Sequence, residues 1–219
     1  MLRTPDGGLA FVHCCETLLA IDKPSGLPAV PGRGPGLQDC VSARAQAAFA
    51  DALVVHRLDM ATSGLMLMAR GAAAQRSLGT AFAQREVDKR YIAIVAGLVP
   101  LPGGDGWGEV DLPLGADWPE RPRQRVDRER GKASLTRYRV LGHDPVRRCT
   151  RVELQPMTGR SHQLRVHLLA LGHPILGDAL YAPTDVQNQA TRLLLHASNL
   201  CLRHPVSGKP IRWRSEPPF

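Results

Sequence analysis

Residues 53–69 read LVVHRLDMATSGLMLMA. Two apolar runs, 53–55 and 64–69, flank the polar connection HRLDMATS, which holds bases, an acid and two hydroxyls. The pattern predicts two strands and puts Asp59 on a loop held at both ends by β-structure. An aspartate in such a loop is most often a turn or capping residue. Arg57, Thr62 and Ser63 beside it are groups that hold a carboxylate ionised or position a substrate.

Upstream, TLLAID (17–22) reads as a short buried strand that runs into KPSGLPAVPGRGPG (23–36). Glycine and proline are too dense there for a helix or a central strand, so a long shaped loop is predicted. A modest helix is expected over 39–49, with Val41 and Ala45 on one face and Asp39 as a first-turn acid. Downstream, a helix is expected over 72–84 and a β-branched strand over 91–99, ended by Pro100 and the PGG at 102–104.

Residues 107–136 are broken by Pro113, Pro119 and Pro122 and then alternate arginines with acids. Strands follow at 134–141 and 151–155, the latter leading to MTGRS. A helix is expected over 162–171, where Leu164, His167, Leu168 and Leu171 share helical spacing before Gly172 and Pro174. A last strand, 192–203, precedes a short tail. Strands and helices mix without the alternation of a doubly wound parallel sheet, so the expected class is α+β with a mixed or antiparallel sheet.

The 219 residues carry 28 Lys and Arg against 20 Asp and Glu, a net charge of +8, which points to a polyanionic partner. The excess is local. Residues 121–151 hold eleven bases and three acids, whereas the remainder holds 17 of each sign. A solvated face accounts for most such runs. Trp118 and the prolines alongside favour a nucleic-acid-contacting arm carrying Arg121, Arg123 and Arg125.

Five cysteines without a CxxC pair argue against a disulfide framework and a cysteine zinc site. His162 and His167 are five apart, which is not a helical ligand spacing, so His56, His162 and His167 are read as packing histidines and no metal is expected. GxGxxG, a Walker loop, HExxH and GxSxG are all absent, which lowers dinucleotide, NTP, zinc-protease and serine-hydrolase chemistry. Paired acids for glycoside hydrolysis are not evident. Nucleophilic work by one ionised aspartate remains open. With no leader pattern and no long apolar segment, a cytoplasmic protein without membrane contact is expected.

The stretch VHRLDMATSGLMLMA (55–69) resembles the catalytic motif of the RluA family of pseudouridine synthases, whose signature is HRLD followed by TSG. IDKPSGLPAVPG (21–32), KRYIAIVAG (89–97) and TGRSHQLRVHLLALGHPILGDALY (158–181) fall in the family's order, and the resemblance spans about residues 17–205. LPLGADWPERPRQRVDRERGKAS (112–134) is similar to the insert of the RluA type, whose members act on a tRNA anticodon loop and a 23S rRNA loop. The resemblance implies the pseudouridine synthase fold: a mixed, mostly antiparallel central sheet flanked by helices and loops, with the active-site cleft across it. It also implies a catalytic domain over 17–219 after an N-terminal extension of 1–16, no S4 domain, no cofactor and a monomer.

Residue by residue, the resemblance makes Asp59 the nucleophile, attacking C6 of the uracil or C1′ of the ribose. Tyr91 becomes the tyrosine that stacks on the base and moves a proton at C5, and Arg160 the arginine that pairs with the catalytic carboxylate. Arg57 resembles the arginine that fills the gap left by the flipped uridine. Leu164 is expected to wall the uracil pocket, and Lys23, Ser25 and Gly26 to support the site. The expected RNA contacts are His56, Arg57, Thr62, Arg121, Arg123, Arg125, Gln163 and Leu164, and the expected targets are tRNA position 32 and 23S rRNA position 746. An RNA-binding module without chemistry and an RNA nuclease are the competing readings.

Overall fold

A computed structural model describes residues 2–3, 8–32, 34 and 37–219. The chain divides into two units, Met1–Lys89 with His196–Pro218, and Arg90–Leu195 with Phe219. In the first, β1 (Leu2–Arg3) pairs with β2 (Ala10–Cys14), so part of the expected N-terminal extension is a strand. β2 pairs in turn with β3 (Leu18–Lys23). The Gly/Pro-rich loop follows as expected from residue 24, although its positions 33, 35 and 36 lie outside the described residues.

Helix α1 (Val41–Ala48) starts later than the sequence suggested, because Cys40 is its N-cap, its Sγ accepting from the Ala43 N–H at 3.4 Å. Asp39 therefore lies outside the first turn and makes a two-pronged ion pair with Arg44, both contacts 2.6 Å. β4 (Ala52–Val54), β5 (Ser63–Arg70) and α2 (Ala72–Ala83) complete the run and match the expected elements closely. All of β5 except Arg70 is buried, which explains why that stretch is apolar throughout and does not alternate. It pairs antiparallel with β3, Leu18 opposite Ala69 and Lys23 opposite Gly64. Leu18, Leu65, Leu67, Leu78, Leu200 and Trp213 meet in this unit's core, where full burial of each aliphatic side chain stabilises by roughly 1.5–3 kcal/mol.

The second unit opens with β6 (Asp88–Ala96), which ends before the expected residue 99 because Gly97 turns the chain at a φ of 79°. Short strands appear where the prolines suggested only breaks: β7 (Gly108–Asp111), β8 (Leu114–Ala116) and β9 (Gln124–Val126), the last two forming a hairpin. β10 (Leu135–Asp144) lies between β7 and β11 (Cys149–Pro156), and β11 pairs with β6. The basic run 121–151 is thus no single arm but is shared among β9, β10 and β11.

Helix α3 (Gln163–Ala170) is buried from Gln163 through His167 and Leu168, all around its circumference, a wider contact than the expected apolar face. The one-turn helix α4 (Thr184–Gln187) follows. The chain then forms β12 (Leu195–Arg203) and β13 (Pro210–Arg214). The short tail expected after β12 contains a strand: β13 pairs with β12 and buries Trp213. β12 runs parallel to β5 through His196 opposite Ser63 and Ala197 opposite Gly64. Among the described residues the other strand pairings within each unit are antiparallel, so the class is α+β with a mixed, mostly antiparallel arrangement. No helix among them is long and apolar enough to cross a membrane.

Candidate active site

Asp59 begins a four-residue turn in which the Thr62 N–H donates to the Asp59 carbonyl at 3.1 Å. The carbonyls of the two central residues are both claimed by the KPSG loop. Met60 O accepts from the Gly26 N–H at 2.8 Å and from Lys23 Nζ at 2.9 Å, and Ala61 O accepts from Ser25 Oγ at 2.7 Å. Lys23 is fully buried, and its ammonium also donates to Pro24 O at 2.9 Å and Leu27 O at 2.7 Å. These charge-assisted bonds are what make a buried cation tolerable. Asp59 itself is half-buried.

On the N-terminal side, His56 Nε2 accepts from the Leu67 N–H of β5 at 2.9 Å while its ring stacks on Phe82 at 4.4 Å. Burial, with the nearby Lys89 charge adding to it, pushes its pKa down to about 3, so the ring is neutral at physiological pH. On the C-terminal side, Ser63 Oγ lies 2.9 Å from His196 Nδ1, His196 Nε2 lies 3.0 Å from Ser215 Oγ, and Ser215 donates to Asp22 Oδ2 at 2.8 Å. Gly64 has a φ of 105°, and a Cβ there would run into the Ala197 backbone, so the glycine of TSG is what lets β5 and β12 approach.

In the second unit, Tyr91 is half-buried on β6 opposite Leu154. Arg160 is exposed, on a turn closed twice by Gln163: the Gln163 N–H donates to Arg160 O at 3.2 Å, and Gln163 Oε1 accepts from the Arg160 N–H at 3.0 Å. Gln163 Oε1 also accepts from Thr158 Oγ1 at 2.7 Å, and its Nε2 donates to Leu135 O and Thr136 Oγ1, each at 3.0 Å. His167, which burial drives towards the neutral form, continues the network from Thr136 Oγ1 to Leu112 O.

The expected RNA contacts divide by this geometry. Arg57, Arg121 and Arg125 are exposed and Arg123 is partly so. Thr62, Gln163 and Leu164 are buried, with exposures of 2%, 3% and 7%. Gln163 has both ends of its amide engaged inside the protein, so no polar atom is left over for a nucleotide. His56 Nε2 ties the Asp59 loop to β5, and its ring face rests on Phe82 of α2.

On the β8–β9 hairpin, the Arg121 guanidinium stacks 3.4 Å above the exposed Trp118 ring. Arg123 faces Glu120 at 3.9 Å and Arg125 faces Asp127 at 4.0 Å. Elsewhere Arg90, Arg137 and Arg139 surround Trp107, and Arg137 also pairs with Asp105. Part of the positive excess is therefore spent on internal contacts. The anchoring role of Lys23 and the chain through His196 are legible only in three dimensions, though a histidine inside the apolar run LLLHAS is a signal for the latter.

Arranged this way, the chain offers a carboxylate on a clamped turn, an arginine on a second clamped turn and a half-buried tyrosine. The sequence profile of the RNA pseudouridylate synthase family matches residues 17–170. The dual-specificity RNA pseudouridine synthase RluA of Yersinia pestis is 49% identical over 202 residues, covering 92% of this chain and 96% of that protein. Its counterpart in Escherichia coli strain K12 is 46% identical over 211 residues, covering 96% and 94%. Among solved structures, human RNA pseudouridylate synthase domain containing 1 superposes with a TM-score of 0.79 at 27% identity, over all of this chain and 87% of that one. Domain containing 4 gives 0.72 at 28%, over 95% and 88%.

Proposed function

The chain belongs to the RNA pseudouridylate synthase family, and from that premise we propose that it isomerises uridine in two structured RNA loops, at tRNA position 32 and 23S rRNA position 746. Asp59 is the nucleophile, Tyr91 stacks on the uracil and moves a proton at C5, and Arg160 is the arginine serving the catalytic carboxylate. The N1–C1′ bond breaks, the C5–C1′ bond forms, the bond to Asp59 is released, and the proton lost from C5 to solvent is balanced by one taken up at N1, so no redox equivalent or ATP is consumed. Arg57, Arg121, Arg123 and Arg125 contact the RNA. The protein works in the cytoplasm as a monomer without a cofactor.

The observation that carries this reading is the Asp59 turn. A carboxylate that attacks a flipped nucleoside must be held within a fraction of an ångström, and both central carbonyls of its turn are fixed by the KPSG loop. Tritium release from 5-³H-uridine RNA measures the reaction. Asp59→Asn is expected to reduce release to background while RNA affinity stays near wild type. Full activity in that variant would remove the assignment of the nucleophile. Mapping pseudouridines in RNA from a deletion strain, with and without the restored chain, tests the two target positions.

A further inference from the structure

The Gln124 N–H of β9 donates to Tyr181 Oη at 2.8 Å, and the same oxygen lies 2.6 Å from His162 Nδ1. A main-chain N–H can only donate, so Oη accepts from Gln124 and makes a further hydrogen bond with the imidazole. His162 sits inside the turn closed by Arg160 and Gln163, and it is a non-glycine residue in the left-handed region, with a φ of 53°. Such a conformation persists only where the surroundings impose it.

Tyr181 is itself held fast. Its N–H donates to Asp178 Oδ1 at 3.2 Å, and the Arg165 guanidinium lies 4.8 Å from its ring centroid. Arg165 and Asp178 form a two-pronged pair at 2.8 and 2.6 Å, with side chains only 5% and 1% exposed. A tie serving stability alone would join any two buried elements. This one joins the hairpin of Arg121, Arg123 and Arg125 to the turn of Arg160, and it closes on the strained residue.

We propose that Tyr181 is a positioning residue, whose hydroxyl makes the pose of the β8–β9 hairpin on RNA set the pose of the Arg160 turn. The inference rests on the role given to Arg160 above. Tyr181→Phe deletes the oxygen and keeps the ring over Arg165. With a substrate stem-loop, kcat is expected to fall on the order of tenfold or more while RNA affinity stays within about twofold. His162→Gly, which relaxes the backbone and removes the imidazole, reproduces the loss. His162→Asn tolerates the same backbone and keeps an acceptor near the Nδ1 position, so it recovers most of the rate.

Neutralising Arg121, Arg123 and Arg125 together lowers both kcat and affinity in the wild-type background, and lowers affinity alone beside Tyr181→Phe. A wild-type kcat in Tyr181→Phe, a loss confined to melting temperature, or effects that simply multiply in the combined variant would each overturn the proposal. A wild-type chain that releases no tritium overturns the activity reading and this proposal with it. A wild-type kcat in Tyr181→Phe beside an active parent overturns this proposal alone.

Discussion

The Asp59 turn is fastened by a buried ammonium and the Arg160 turn by a neutral amide, and the two fastenings differ in redundancy. Lys23 supplies the donors for the Pro24 and Leu27 carbonyls, and among the described residues neither carbonyl has another partner; only Met60 O keeps a second donor, from Gly26. Around Gln163 the bonds overlap. Leu135 O also accepts from the Met157 N–H, Thr136 Oγ1 also bonds His167, and Thr158 Oγ1 also accepts from the Leu135 N–H. The Arg160 N–H belongs to an exposed residue. The KPSG loop that clamps the Asp59 turn is itself pinned by one concentrated charge; the Arg160 turn is held by a mesh whose members share their partners.

The sharpest break of that contrast is Lys23→Met, which keeps an apolar stem as far as Cε but removes all donors. Two carbonyls lose their partners, so a loss of about 2–6 kcal/mol is expected, at roughly 1–3 kcal/mol for each unsatisfied group. Chemical denaturation measures it, and tritium release should fall steeply even at temperatures where the variant is folded. Equal stability of variant and parent would show that the ammonium is not the fastener.

Gln163→Leu should cost less, about 1–2 kcal/mol, because the partners it abandons keep other bonds or reach water. Its kcat should fall more than its RNA affinity, since the backbone at Arg160 is released while the charged side chains remain. A destabilisation as large as that of Lys23→Met would erase the distinction between pin and mesh.

At neutral pH the smallest effect concerns His56, which locks the entry to the Asp59 turn while neutral. The folded ring resists protonation down to about 3, whereas in the unfolded chain it titrates near its ordinary 6.5. The unfolded state therefore binds more protons between those values, so this contribution to stability is full above about pH 6.5 and declines as the pH falls towards 3. His56→Gln keeps an acceptor for the Leu67 N–H without titrating. Its stability should vary less between about pH 4 and 6.5 than the parent's, as followed by urea midpoints. Parallel curves would assign the acid lability to other groups.

Much of this frame was legible in the residues. The apolar run 64–69 and the strand at 17–22 declare themselves because burial on both faces leaves Gly64–Ala69 of β5 and Leu18–Ile21 of β3 without a polar side chain. β8, β9 and β13 do not, being three to five residues long and bounded by prolines or turns, too short to show an alternation. For the site, the motif pointed to Asp59 and Arg160 and to the supporting loop. It gave no hint that Lys23 is interior, since a lysine before Pro-Ser-Gly reads as a surface charge until the three carbonyls around it are seen. Nor did it show that the Gln163 amide is engaged by Thr158, Arg160, Leu135 and Thr136, partners that meet only in the folded chain.

Trp118 has a practical consequence. Of the three tryptophans, Trp213 is 9% exposed and Trp107 lies among three guanidinium groups, whereas Trp118 is 69% exposed at the tip of the β8–β9 hairpin. The chain thus carries its own optical probe at one defined spot. A macromolecule that closes over the hairpin changes the emission of that indole, one that docks elsewhere leaves it dark to the event, and no dye has to be attached to tell the two apart.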